Sequence, residues 1–168
     1  MRTYGKFGVC LCICVAMLLC VACGREPMAT ADILRELEAE AESLPAGERY
    51  TSTAEEGSDG YCSADLRRSL YGEDAEEIFE TVEEYAIYLS SAAKPYEIAV
   101  FRCYSATDAH RVALMCMERA ELLRVALHGT DWETFADGAT VLCRGHYVVL
   151  SLTDEPRAVE ERAKRLLR

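Results

Sequence analysis

The sequence predicts an α+β fold in which helices cover a small antiparallel sheet. Alternation of apolar and polar residues, with aromatic and β-branched side chains, indicates strands. A long segment with apolar residues at helical spacing indicates a helix wide enough to cover such a sheet. These patterns place strands at 84–91, 97–104, 140–144 and 147–152, and the principal helix at about 106–127.

The four strands are expected to form two hairpin-like pairs in one sheet. The link 92–96, which contains Pro95, is far too short for a parallel crossover, so the first two strands pair antiparallel. Gly145 stands at the tight turn between the last two strands. The principal helix should place an apolar stripe against strand residues such as Val100 and Val149. That stripe comprises Val112, Cys116, Ala120 and Leu123.

The first part of the predicted domain is helical and then irregular. Residues 31–44 carry apolar side chains on one helical face, which must dock on the domain. The segment 48–60 is polar, contains Gly57 and Gly60, and lacks periodicity. We therefore expect an exposed, irregular loop at 48–60.

Three capping signals indicate where other helices begin. Ser63 precedes a short helix at 64–71, and an acidic helical turn follows it. Ser105 and Asp108 resemble a capping box ahead of the principal helix. Pro156 suits the first turn of a terminal helix.

The N-terminal residues are typical of a processed export signal. Arg2 and Lys6 precede an apolar run at 7–22, which is shorter than the roughly 20 residues that span a bilayer. Cys23 follows this run directly. The predicted organisation is a signal peptide at 1–22, a tether at 23–30 and a single α+β domain at 31–168.

The ending Ala22-Cys23-Gly24 resembles the lipobox of bacterial lipoproteins, although Cys20 stands where leucine is usual. The resemblance implies that the Cys23 thiol receives a diacylglycerol and becomes an acylated N-terminus, with a fatty acid such as palmitate. We therefore expect a lipid-anchored protein at the outer face of a bacterial cell membrane. An uncleaved membrane anchor, or ordinary cleavage that leaves Cys23 a free thiol, are the alternatives.

The charge balance excludes nucleic acid as a partner. The full chain has a net charge of −11, and removal of Arg2 and Lys6 makes the predicted mature chain still more acidic. Nucleic-acid binding needs a basic face. Anionic headgroups would repel the acidic first half of the domain, so retention at the membrane must come from the acyl chains.

Four cysteines remain in the predicted domain, and their spacing matches no zinc or disulfide framework. Most of them stand among apolar neighbours, where a free cysteine behaves as a small hydrophobe. Free thiols are therefore expected, with a disulfide as the alternative that export permits. The four are Cys62, Cys103, Cys116 and Cys143.

No catalytic, metal-binding or cofactor-binding residue is predicted. Cys143 and His146 are close in sequence, but a nucleophile also needs an oriented base and oxyanion donors, which the sequence does not supply. Gly-rich phosphate loops and paired zinc ligands are missing from the sequence. Trp132, His146 and Tyr147 form a speculative surface site.

Four segments occur in this order: Leu70-Tyr71-Gly72, the strand at 86–91, the strand at 96–101 and the hairpin at 144–150. Together they resemble an uncharacterised lipoprotein family of Gram-positive bacteria, domain-of-unknown-function family 4358. The resemblance covers about residues 31–152, and it implies an extracytoplasmic lipoprotein with an α+β fold. It implies no activity and transfers no catalytic residue.

Two classes of function remain after these exclusions. The first is a membrane-anchored interaction or ligand-binding module with membrane lipid and an envelope protein as partners. The second is a cell-envelope enzyme, hydrolase-like, whose site the sequence does not reveal. Converging titratable groups in a cleft would favour the enzyme, and an exposed apolar patch would favour the interaction module. The sequence favours the first class.

Overall fold

The protein is an α+β domain with one five-stranded antiparallel sheet in the order β1-β2-β3-β5-β4. The structure, a computed structural model, describes residues 27–41 and 43–168, so the predicted signal peptide and Cys23 lie outside the described residues. The elements are α1 (Thr30–Glu40), β1 (Gly47–Thr51), α2 (Ala64–Tyr71), α3 (Ala75–Phe79), β2 (Val82–Ser90), β3 (Glu97–Cys103), α4 (Ala106–Leu127), α5 (Glu133–Asp137), β4 (Thr140–Arg144), β5 (Tyr147–Leu152) and α6 (Pro156–Leu166).

The four predicted strands are confirmed, and so is their arrangement in one sheet. Strands β2 and β3 pair antiparallel, as do β4 and β5. Strand β3 pairs with β5, with Val100 opposite Val149, and this contact joins the two pairs. At the hairpin turn, Gly145 has a φ of 59°, a conformation that suits glycine.

The prediction of an irregular loop over 48–60 was wrong for its first residues, because β1 pairs with β2 as a fifth strand. A side chain at Gly47 would lie 2.3 Å from the Leu89 carbonyl oxygen, so glycine permits the close approach of the two strands. The remaining segment, 52–60, consists of turns and bends and is mostly exposed. Helix α1 also ends at Glu40, earlier than the predicted position 44.

Helix α4 covers one face of the sheet, as predicted, but it contacts other strand residues than expected. Val100 and Val149 point to the opposite face, so the predicted contact was wrong. Neighbouring strand residues alternate between faces, and a shift of one position exchanges the two sets. The face under α4, which α2, α3 and α5 also cover, comprises Ile87, Ala99, Phe101, Val148 and Leu150.

Helices α1 and α6 cover the second face of the sheet. Ile33, Leu34 and Leu37 of α1 are buried there, together with Val159 and Ala163 of α6. The central strand β3 is therefore buried on both sides, and its side chains are apolar from Ile98 to Phe101. These strand residues form a continuous apolar run because neither face meets water.

The predicted capping residues begin their helices in the structure. The hydroxyl oxygen of Ser63 accepts a hydrogen bond from the backbone N–H of Leu66 at 3.2 Å. The hydroxyl oxygen of Ser105 accepts from the N–H of Asp108 at 3.1 Å, and the same hydroxyl donates to the Asp108 carboxylate at 2.6 Å. These contacts satisfy backbone donors that the first helical turn leaves free.

A carboxylate is buried at the start of the central strand. Glu97 is 1% exposed, and its Oε1 accepts a hydrogen bond from the Tyr71 hydroxyl at 2.8 Å. Its Oε2 accepts from Nε of Arg119 at 3.1 Å. These contacts join β3 to α2 and α4, so the buried charge fixes how the helices lie on the sheet.

We expect Arg119→Met to lower the free energy of unfolding by about 3–5 kcal/mol, because it leaves the Glu97 carboxylate buried without its cation. Adding Glu97→Gln should restore part of the loss. Arg111→Met, on the same helix, is the control: its pair with Glu77 is solvent-exposed and should contribute about 0–1 kcal/mol. Urea denaturation measures all three variants. Equal losses for the two arginine variants would contradict this account.

Candidate functional site

A cleft of about 700 Å³ lies at the end of the sheet where β4 begins and β5 ends. Its walls come from α5, from the first turn of α6 and from the connections that precede β3 and follow β5. Among the described residues that line it are Lys94, Phe135, Thr140, Thr153, Asp154 and Arg157. Its size lies within the range of small-molecule sites.

An ion pair that contacts two aromatic rings forms one wall of the cleft. Nζ of Lys94 pairs with Oδ1 of Asp154, and the Tyr96 hydroxyl donates to Oδ2 of Asp154 at 2.7 Å. The Lys94 ammonium lies 4.4 Å from the Phe135 ring centroid and 4.9 Å from that of Tyr96. The two rings meet edge to face at 5.1 Å. Cation–π contacts and the ion pair therefore hold Lys94 in one place.

The backbone connection that carries Lys94 is fixed by hydrogen bonds. The Ser90 hydroxyl donates to the Lys94 carbonyl at 2.7 Å, and the Tyr96 N–H donates to the Ser90 hydroxyl oxygen at 3.2 Å. Two elements that are distant in sequence thus meet here, because β3 and β5 are neighbours in the sheet. The wall is preorganised rather than assembled by a ligand.

The ion pair shifts the pKa values of its members away from neutrality. Burial disfavours charged Lys94, but hydrogen bonds to Asp154 and Tyr96 outweigh it and raise the Lys94 pKa. Burial likewise disfavours ionised Asp154, and the hydrogen bonds from Lys94 and Tyr96 lower its pKa on balance. The hydrogen bond to Asp154, followed by burial, raises the pKa of Tyr96. All three groups keep one protonation state at neutral pH.

The rest of the lining mixes polar and apolar residues, and its charged side chains carry both signs of charge. Asp131, Asp137 and Glu155 contribute carboxylates, Arg157 contributes a guanidinium, and Thr134, Thr140 and Thr153 contribute hydroxyls. Phe135, Ala139, Pro156 and Ala158 add apolar surface. Such a lining provides hydrogen-bond donors, acceptors and an aromatic contact for a polar ligand.

The structure does not bring the three residues of the speculative surface site together. Trp132 precedes α5, near the end of the sheet where β4 begins. His146 is exposed in the turn at the other end of β4, and Tyr147 follows it, donating to the Met28 carbonyl at 2.9 Å. Five residues of β4 separate the two ends by roughly 16 Å.

A cysteine and a histidine do meet, but the histidine is His110 rather than His146. Sγ of Cys143 lies 3.8 Å from Nδ1 of His110, which projects from α4 toward β4. Burial raises the pKa of the Cys143 thiol. An activated nucleophile has a lowered pKa, so this thiol is not poised as a thiolate. Within the described residues all four cysteines are free, and Cys143 is the one that is not fully buried.

The comparisons with known proteins give no assignment. No protein-family model, curated protein or solved structure matches the chain. In residues 27–41 and 43–168, no three His, Cys, Asp or Glu side chains come close enough to hold a metal ion. Over the same residues, no helix combines the length and the apolar character needed to cross a bilayer.

We expect Cys143 to be the thiol of the folded domain that reacts first with a maleimide at neutral pH. Burial raises the pKa of Cys62 to about 11 and that of Cys103 to about 12, and Cys116 is fully buried. Mass spectrometry of partly labelled protein identifies the first site, and Cys143→Ser should remove the early adduct.

His110→Ala tests whether the histidine activates this thiol. Because the Cys143 pKa is raised, the variant should label at nearly the wild-type rate. Labelling that is faster than for an ordinary exposed cysteine, and that is lost in His110→Ala, would instead identify an activated nucleophile.

Proposed function

We propose that the protein is a lipid-anchored, extracytoplasmic ligand-binding module of the bacterial cell envelope, similar to the lipoproteins of domain-of-unknown-function family 4358. The observation that carries the proposal is the position of Cys23. It follows the apolar run 7–22 directly and precedes by a few residues Thr30, where α1 begins. Acylation of Cys23 would hold the domain at the outer face of the membrane.

The chemistry of the cleft supports binding rather than catalysis. A general acid or base works best with a pKa near the operating pH, whereas the Lys94 pKa is raised and the Asp154 pKa is lowered. The two side chains instead offer fixed charges and an aromatic wall. The alternative, a hydrolase-like enzyme, has the contact between Cys143 and His110 in its favour, but the raised thiol pKa opposes it.

The outward face of α4 also supports an interaction role. Exposed apolar side chains that cluster on one side of an element are typical of interaction surfaces, whereas singly scattered ones are not. Four of them on α4 are half or more exposed: Leu114, Met117, Leu122 and Val125.

We expect the wild-type chain, expressed in a bacterial host fed labelled palmitate, to carry the label on its N-terminal peptide. Cys23→Ala should abolish labelling and leave the precursor unprocessed at that position. Cys20→Leu is the matched control, and it should be labelled as the wild type is. Mass spectrometry that finds no acyl group on the wild-type peptide would refute the anchor.

We expect a photo-crosslinking amino acid at Thr134 or Arg157 in the cleft to yield adducts of defined mass in intact cells. The control position is Arg35, which is exposed on α1 away from the cleft. The double substitution Lys94→Met and Asp154→Asn should abolish the cleft adducts, because it removes the ion pair from the wall. Identical adducts from all three positions would exclude the cleft as the binding site.

A further inference from the structure

A second cavity lies at the opposite end of the sheet, where the described chain begins. It has a volume of about 610 Å³, and we name it the tether-end groove. The described residues that line it include Pro27, Met28, Asp32, Tyr147, Leu167 and Arg168.

The groove is anchored to the domain rather than formed by a loose terminus. The Tyr147 hydroxyl donates to the Met28 carbonyl at 2.9 Å. Met28, Tyr147, Leu166 and Leu167 are half-buried and pack against the apolar cluster under α1 and α6. The chain therefore leaves the domain from a fixed point beside the start of β5.

The short chain between Cys23 and the groove limits the distance between the two. Gly24, Arg25 and Glu26 alone separate Cys23 from Pro27. An extended chain spans about 3.3–3.6 Å per residue, so Pro27 lies within roughly 14 Å of Cys23. The polar headgroup layer of one leaflet takes up about 5–7 Å of that distance. An acylated Cys23 therefore holds the groove within roughly 10 Å of the headgroup surface.

From the short tether and the position of the groove we infer that the tether-end groove and the adjacent β4–β5 turn form a membrane-contacting surface. The partner of this surface is the phospholipid headgroup layer of the anchoring bilayer. The inference rests on the proposed acylation of Cys23. It adds a defined orientation, in which this corner of the domain rests on the bilayer.

The charges around this corner fit phosphate groups. Arg144 is exposed beside the turn, and Arg168 lines the groove. Asp32, the acidic side chain of the groove, is paired with Arg35 at 2.8 Å. The acidic turns of 52–60 follow the end of β1, so they lie at the same end of the sheet as the β4–β5 turn but at the opposite edge, about 19 Å from β4 across four strand spacings. Only the β4 corner, and not the whole end of the sheet, therefore offers anionic headgroups a favourable charge.

The single tryptophan permits a direct test with the lipidated full chain. The protein is reconstituted in vesicles of phosphatidylcholine and phosphatidylglycerol that carry a nitroxide quencher on the headgroup. In the wild-type protein, quenching of Trp132 fluorescence measures how close the far end of the sheet lies to the headgroups. In the variant His146→Trp with Trp132→Phe, quenching of the new tryptophan measures the same distance for the β4–β5 turn. We expect strong quenching at position 146 and little at position 132.

Two charge-reversal variants, one at each end of the sheet, test the role of the basic corner. In the reporter variant, Arg144→Glu should reduce the quenching at position 146, whereas Arg157→Glu, at the other end of the sheet, should leave it unchanged. Circular dichroism verifies that each variant folds. Vesicle-bound protein with equal quenching at both positions, or with stronger quenching at Trp132, would overturn the orientation.

Flotation with vesicles shows whether the proposed acylation or the proposed orientation of the domain is wrong. If wild-type protein floats with vesicles no better than Cys23→Ala, the acylation is wrong, and the inference fails with it. If wild-type protein floats with vesicles and position 146 is not quenched, the anchor stands. The groove then faces another partner, such as a second copy of the chain, and the inference is wrong.

Discussion

The burial of strand β3 on both faces is the constraint on which the rest of the structure depends. Its apolar residues from Ile98 to Phe101 alternate between two helical layers, so neither layer can be removed without exposing half of them. The buried carboxylate of Glu97, at the start of the strand, must be paired with a cation and with hydrogen-bond donors. Arg119 and Tyr71 meet that requirement from α4 and α2. The two conditions together position the helices around the sheet.

The sequence predicts those parts of the fold in which local patterns and burial agree. The strands β2 to β5 alternate or carry β-branched residues, and α4 has a capping residue and a long apolar stripe, so their boundaries are nearly correct. Strand β1 is polar, and it forms because β2 offers it an open edge, which is a tertiary effect. The side of the sheet that α4 covers is not a local property either. Alternation separates two sets of residues without saying which set the helix meets.

The candidate site is less predictable because each of its parts comes from a connection between elements. Lys94 and Asp154 belong to segments with no periodicity, and they meet because β3 and β5 are neighbours in the sheet. Proximity in sequence was also a poor guide for Cys143. His146 is three residues away but lies in the hairpin turn, whereas His110 reaches the thiol because α4 crosses β4. Only the acylation expected at Cys23 is a local property of the sequence.

The two cavities lie at opposite ends of the β4–β5 hairpin, and this separation connects the proposed anchor with the proposed binding site. The six residues of β5 rise by about 20 Å between the groove and the cleft. Strand pairing and the helices on both faces make that spacing rigid. A domain anchored through Cys23 would therefore hold the cleft on the side away from the bilayer. In that orientation a ligand could reach the mixed charges of the cleft and the Phe135 ring without meeting the headgroup layer.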